Sequence, residues 1–220
     1  MILTFDIETL PTEDPAIIKQ IAATIKPPGN IKKKESIDVW MEENYDQALK
    51  DAVAKTSFDG MHGRIACIAW HFSFESIDDC VYCSTSADDE TIAIEQLYSG
   101  ISQNITKFCG HNITGFDLPF LKHRSMILGI KPPGNLLMAM NSRPWGEWIA
   151  DTMLMWSQDR DKRVSMDALC KAFGIDGKGD FDGSMVAETW KTNPQKVVNY
   201  CREDVKRTVG IYKRLTFEGL

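Results

Sequence analysis

The sequence contains no long apolar run, and no segment approaches the ~18 consecutive residues that a membrane-spanning helix needs. Its amino terminus lacks a basic flank and has an acid at position 6, so we expect no signal peptide. Without such a signal, the six cysteines indicate reduced thiols in a cytoplasmic protein instead of a disulfide framework. A linker long enough to separate two domains is also missing, which favours a single domain over residues 1–220.

Positive charge is not in excess either. The net charge is −6, which argues against a protein that coats nucleic acid non-specifically. The charge is unevenly divided, since residues 1–100 carry a net −10 and residues 101–220 a net +4. This division indicates one surface suited to cations and another suited to anions, or simply an uneven distribution of surface charge.

The order of apolar and breaker segments predicts a mixed α/β fold. Three consecutive strands are followed by a helix, a strand, a helix, a strand and terminal helices. The strands are predicted at 2–7, 64–72, 80–85, 105–110 and 148–154. The helices are predicted at 14–24, 32–55, 88–101, 116–128, 165–173 and 193–215, with the segment at about 26–60 interpreted as a helical insertion.

Asp6 and Glu8 lie two residues apart at the end of the first apolar strand, so their side chains should point to the same face. Burying two neighbouring carboxylates is costly unless a cation compensates them, and a hard divalent ion with oxygen ligands is the natural choice. The alternative is that the strand has ended and both acids are solvated. Asp-x-Glu alone does not decide between these interpretations.

Two further polar clusters follow at 110–121 and 200–204. In GHNITGFDLPFL, a strand ends at Gly110 and a helix starts near Asp117, with Asn112 in the loop between them. Thr114 and Asp117 have the spacing of a helix capping box, and Asn112 could be an ordinary turn residue. In YCRED, the residues Tyr200 and Asp204 are four apart and therefore share one face of the last helix.

Together, FDIET, HNITGFDLPFL and YCREDV resemble the three sequence blocks of the DEDD superfamily of 3′–5′ exonucleases. The tyrosine four residues before the last aspartate indicates the tyrosine subclass. The strongest likeness is to the proofreading exonuclease domain of family B DNA polymerases and to stand-alone proteins similar to it. The resemblance runs from residue 2 to about 215 and implies a ribonuclease H-like fold, a five-stranded mixed sheet flanked by helices.

The resemblance also implies a two-metal site for Mg²⁺ or Mn²⁺. Asp6 would bridge both ions, Glu8 and Asp204 would complete the site that holds the nucleophilic water, and Asp117 would serve the second ion directly or through water. Tyr200 would orient the attacking water, so that no histidine base is required, and we interpret His111 as structural or close to the substrate. The same blocks and a later glycine-rich loop supply tentative substrate-binding residues: Thr9, Leu10, Asn112, Phe116 and Lys178.

The predicted activity is removal of nucleoside monophosphates from the 3′ end of single-stranded DNA. An RNA-trimming exoribonuclease and a catalytically silent nucleic-acid-binding scaffold are the alternatives. Six basic residues of the last helix are candidates for guiding the strand, namely Lys196, Arg202, Lys206, Arg207, Lys213 and Arg214. The chain ends soon after that helix, so we expect a free-standing nuclease or a subunit beside a DNA polymerase or another replication protein, with no membrane association.

Overall fold

A five-stranded sheet forms the centre of the computed structural model, which describes residues 1–73, 76–77, 81–85, 89–159, 161–177 and 179–218. The strand order is β3-β2-β1-β4-β5. The first three strands pair antiparallel, whereas β1, β4 and β5 pair parallel. The strands are β1 (Ile2–Leu10), β2 (Arg64–Phe72), β3 (Tyr82–Thr85), β4 (Lys107–Gly110) and β5 (Ile149–Asp151). The predicted mixed α/β class is confirmed.

Helices cover both faces of the sheet. The helices in the described ranges are α1 (Pro15–Ala22), α2 (Lys34–Ala54), α3 (Glu90–Gly100), α4 (Asp117–Leu128), α5 (Gly134–Asn141), α6 (Thr152–Ser157), α7 (Met166–Phe173), α8 (Val186–Thr192) and α9 (Pro194–Leu215). Leu3, Phe5 and Ile7 of β1 face a core built largely from α3, α4 and α5, while Leu10 and the opposite face of β2 pack against α8 and α9. None of these helices combines the length and the hydrophobicity of a membrane span.

The prediction of a fifth strand over 148–154 is wrong at its carboxyl-terminal end. The strand stops at Asp151, whose carboxylate accepts hydrogen bonds from the backbone N–H groups of Met153 and Leu154 at 3.1 and 3.3 Å. An aspartate in this position caps a helix, and α6 begins directly after it. The prediction also missed α5 and α8, which are short helices that directly follow segments containing proline or glycine.

The interpretation of about 26–60 as an insertion stays a prediction, but a helical segment does lie between β1 and β2. It contains α1 and α2, and α2 has no buried residue over its 21 positions. A short 3₁₀ turn, Lys55–Phe58, connects α2 to the approach to β2. The segment therefore adds little to the main core, and its contacts with the sheet are made mainly at its two ends.

A buried ion pair joins β2 to the helices on one face. The Glu90 carboxylate accepts the backbone N–H of Ile65 at 2.7 Å and pairs with Arg124, whose Nη2 lies 2.7 Å from Oε2. Arg124 also donates from Nη1 to the carbonyl of Gly60 at 3.2 Å. This pair ties α3, α4 and the turn before β2 to one another.

We predict that Arg124→Met destabilises the protein by roughly 3–5 kcal/mol, because it leaves the Glu90 carboxylate buried without its cation. The free energy of unfolding from denaturant titration measures this change. Lys191→Met is the matched control, since Lys191 pairs with Glu188 on the surface and both side chains are mostly exposed. The control should change stability by less than roughly 0.5 kcal/mol. Equal losses in the two variants would contradict the importance of the buried pair.

Candidate active site

The candidate site lies where β1 extends beyond the end of its parallel neighbour β4. Pairing between β1 and β4 runs from Ile2 and Lys107 to Thr4 and Cys109, whereas β1 continues to Leu10. Beyond the end of the pairing, the backbone N–H of Ile7 donates to Asp117 Oδ1 at 3.2 Å. Asp117, at the first position of α4, thus occupies the place that a longer β4 would fill.

Asp6 and Glu8 project from β1 to the same face, as the strand period predicted. Together with Cys201 of α9 they offer ligand atoms that all lie within 4.8 Å of one another. Glu8 is buried and Asp6 half-buried, so the interpretation of two solvated acids is wrong. The Cys201 thiol lies 3.4 Å from the Asp6 carbonyl and 3.6 Å from Asp6 Oδ2, which places α9 directly against this pair.

Tyr200 and Asp204 lie one turn apart on α9, and both are buried. They line the same cleft as Asp6 and Asn112, a space of about 610 Å³. The Tyr200 ring is fixed by an edge-to-face contact with Phe181, with ring centroids 4.8 Å apart. The cleft therefore brings together residues from all regions of the chain that carry the three sequence blocks.

Asp204 has a basic neighbour that the sequence assigned to another role. Arg207 Nη1 lies 2.8 Å from Asp204 Oδ1, and the same guanidinium donates to the carbonyls of Asp176 and Gly177 at 3.1 and 2.8 Å. Arg207 is thus committed to compensating Asp204 and anchoring the loop before α8. These bonds use three of its N–H donors within the protein, and a role for Arg207 in guiding the strand stays a prediction.

The loop between β4 and α4 is held by Asp151 at the end of β5. The Asp151 carboxylate accepts the backbone N–H groups of Asn112 and Thr114, at 3.0 and 3.1 Å, and the Thr114 hydroxyl at 2.6 Å. Thr114 therefore does not form a capping box with Asp117. Asn112 is a turn residue with φ 63°, and its carbonyl accepts the N–H groups of Gly115 and Phe116.

Asp151 is a positioning residue that sequence reasoning missed. It is buried and shapes the loop that leads to Asp117. The sequence did contain a signal for Asp151. It is an aspartate directly between an apolar strand and a hydrophobic helical run, a position where a carboxylate can cap a helix. His111, in the same loop, is hydrogen-bonded through both ring nitrogens, to Thr152 Oγ1 and to the Val164 carbonyl, each at 3.0 Å. This agrees with a structural role for His111.

The structure supports some of the five tentative substrate-binding residues better than others. The Thr9 hydroxyl donates to the carbonyl of Ser57 at 2.6 Å, and Leu10 is buried in the core, so the structure does not support side-chain contacts from these two. Asn112 lines the cleft and Phe116 is half-buried next to Asp117. Lys178 lies outside the described residues.

Burial dominates the electrostatics of Asp117. Loss of hydration raises the pKa of its carboxyl to about 7, although the hydrogen bond from Ile7 opposes the shift. The charges of Asp151 and Asp204 raise it further. A carboxyl in this condition is stabilised in its ionised form by a nearby cation, which is the chemistry expected of a metal ligand.

The fold is similar to that of a solved family B DNA polymerase from the hyperthermophilic archaeon Pyrobaculum calidifontis, with a TM-score of 0.58 and 16% sequence identity. The match covers 98% of this chain but 24% of the polymerase chain, so this chain spans about a quarter of that length. The fold is the ribonuclease H-like arrangement of a PolB exonuclease domain, as predicted.

The sequence also matches, over residues 61–219, the family described as a predicted 3′–5′ exonuclease related to the exonuclease domain of PolB. The chain belongs to this family. Exonucleases of this family generally use divalent metals. No curated protein matches the sequence. The match begins just after the helical segment between β1 and β2, so it includes Asp117, Tyr200 and Asp204 but not the first carboxylate pair.

We predict that, without metal, the contribution of Asp117 to the stability of the protein falls as the pH rises from about 4 to about 7. The folded-state pKa of Asp117 is raised, so its contribution is fully present below the unfolded pKa and is lost as the pH approaches the folded value. Asp117→Asn should remove this part of the pH dependence. Unfolding free energies measured in chelator between pH 4 and 8 test it, and identical slopes in both proteins would contradict the prediction.

Proposed function

We propose that this protein is a metal-dependent 3′–5′ exonuclease that removes nucleoside monophosphates from single-stranded DNA ends. The observation that carries the proposal is the convergence of Asp6, Tyr200 and Asp204 on one cleft, with Glu8 beside Asp6. Asp117 accepts the backbone N–H of Ile7, the residue between Asp6 and Glu8.

The donor set fits hard divalent cations such as Mg²⁺ or Mn²⁺. Carboxylate oxygens are the ligands that these ions prefer, and Glu8, Asp117 and Asp204 are all buried. Placing several carboxylates together away from water is unfavourable unless positive charge is supplied, and Arg207 is the partner of Asp204. When bound, two such ions would activate a water and stabilise the attacking and leaving oxygens of the phosphodiester.

The residues of the chain then have distinct tasks. Asp6, Glu8, Asp117 and Asp204 would hold the cations. The Tyr200 hydroxyl, one helical turn before Asp204, would orient the attacking water by a hydrogen bond, because a phenol is a poor base at neutral pH. The site therefore needs no histidine for proton abstraction.

The first prediction from this mechanism is that Asp6→Ala abolishes nuclease activity while the protein stays folded. Cleavage of matched DNA and RNA oligonucleotides, single- and double-stranded, is measured with Mg²⁺, with Mn²⁺ and in excess chelator. Asp38→Ala, which removes an exposed acid on α2, is the control and should cleave as the parent does.

Full cleavage in excess chelator, or a parental cleavage rate for folded Asp6→Ala, would contradict the metal-dependent mechanism. Preferred cleavage of RNA would leave the mechanism standing but identify RNA instead of DNA as the substrate.

In the parent protein, Mg²⁺ or Mn²⁺ should raise the melting temperature by ligand linkage, whereas a variant lacking Asp6 and Asp204 should not respond. An equal shift in both proteins would place the metal elsewhere.

The second prediction concerns Tyr200. Tyr200→Phe keeps the ring and its contact with Phe181 but removes the hydroxyl, so folding, metal binding and strand binding should change little. Turnover should fall by roughly 10- to 1,000-fold, the range for one lost catalytic hydrogen bond. Single-turnover cleavage of a labelled single strand measures this loss. A parental rate would make Tyr200 a packing residue.

A further inference from the structure

Phe58 has a large aromatic side chain that is exposed to solvent. Its relative exposure is 73%, among the highest of the large apolar side chains in the described ranges. It ends the 3₁₀ turn Lys55–Phe58 and lies before residue 61, where the family match begins. The family likeness therefore assigns it no role.

The backbone that carries Phe58 is fixed to β1 on one side. The Ser57 carbonyl accepts the Thr9 hydroxyl at 2.6 Å, and the Thr56 hydroxyl accepts the backbone N–H of Thr12 at 2.8 Å. These bonds join the 3₁₀ turn to the end of the strand that carries Asp6 and Glu8. The position of the Phe58 backbone relative to that strand end is thus set by the fold.

The following turn is fixed to α4 on the other side. The Gly60 carbonyl accepts a hydrogen bond from Arg124 Nη1 at 3.2 Å. Gly60 lies so close to α4 that an added Cβ would come within 2.9 Å of His123 Cβ and 3.1 Å of the Phe120 carbonyl. Phe58 is therefore an exposed ring on an anchored backbone, which is what pre-organised binding surfaces provide.

Phe58 also lies beside the candidate active site. Its ring is tilted against that of Phe116, with centroids 6.4 Å apart, and Phe116 directly precedes Asp117. Phe116 in turn contacts Phe120 of α4, which is buried. The rings of Phe58 and Phe116 thus form an aromatic pair, and Phe116 is the chain neighbour of Asp117.

We propose that Phe58 is a substrate-positioning residue, on which an unpaired base of the bound strand stacks next to Phe116. Every base has a π-face, so stacking tolerates any sequence, as an exonuclease requires. A base held there would keep the strand single-stranded beside the carboxylates. The inference rests on the proposed function, and it extends the substrate surface to a segment outside the family match.

The test compares two single-stranded oligonucleotides in an Asp6→Ala background, which prevents cleavage. One has normal 3′-terminal nucleotides, and in the other the terminal nucleotides are abasic. Phe58→Ala should weaken binding of the normal strand by roughly 5- to 100-fold and leave binding of the abasic strand unchanged. Phe58→Trp should bind as the parent does, because it restores a stacking face.

Trp145→Ala is the matched control. Trp145 is also exposed, at 57%, but it precedes β5 and therefore lies toward the opposite, amino-terminal edge of the parallel strands. Its removal should not affect binding. With Asp6 intact, Phe58→Ala should raise KM with little change in kcat, because it removes binding shared by ground and transition states.

No loss in Phe58→Ala, an equal loss on both oligonucleotides, or a tryptophan variant as weak as alanine would overturn the stacking role. These outcomes leave the proposed function intact if the parent protein cleaves the strand. A parent protein that neither binds nor cleaves any oligonucleotide would overturn the proposed function, and this inference with it.

Discussion

The unequal lengths of β1 and β4 determine the rest of the site. Because their parallel pairing ends at Thr4 and Cys109, the next part of β1 presents backbone groups and side chains at an open edge of the sheet. Asp117 takes the N–H of Ile7 there, and Asp6 and Glu8 project from the same stretch toward α9. A β4 longer by a few residues would pair with this edge and displace the α4 terminus.

Buried aspartates then hold this edge in place. Asp151 gathers the backbone of the loop after β4 and so fixes where α4 begins. Arg207 restrains Asp204 from the α9 side and ties it to the loop before α8. A cluster of carboxylates repels itself, so each one needs hydrogen-bond donors or a cation to stay in position. The protein supplies donors to Asp151 and Asp117 and a cation to Asp204.

Much of this arrangement could be predicted from the sequence. The period-two pattern places Asp6 and Glu8 on one face, the four-residue spacing places Tyr200 and Asp204 on another, and α9 begins and ends near its predicted bounds. Contacts between distant segments could not be predicted in this way. The pairing of Arg207 with Asp204 could have been suspected from the helical spacing, but its bonds to loop carbonyls depend on tertiary packing.

The local sequence pattern also gave wrong predictions where one residue belongs to two secondary-structure elements. Asp151 ends β5 and caps α6, and the apolar residues on both sides made the boundary look like a continuous strand. The Thr114 and Asp117 pair has capping-box spacing, yet each side chain found a partner on another strand. Short-range propensity is overridden in such places because a buried polar group must be satisfied, whichever segment supplies the partner.

Because Tyr200 and Asp204 lie on α9, the chain should tolerate insertions and deletions in some segments and not in others. An α-helix turns by about 100° per residue, so one residue inserted between Asp204 and the packed end of α9 would rotate either the carboxylate or the core side chains out of place. The segment from α1 to α2 carries no such constraint, because α2 buries no side chain and its chain returns to the sheet through Lys55–Phe58. Insertions and deletions should therefore accumulate in that segment, with the returning turn as its fixed boundary.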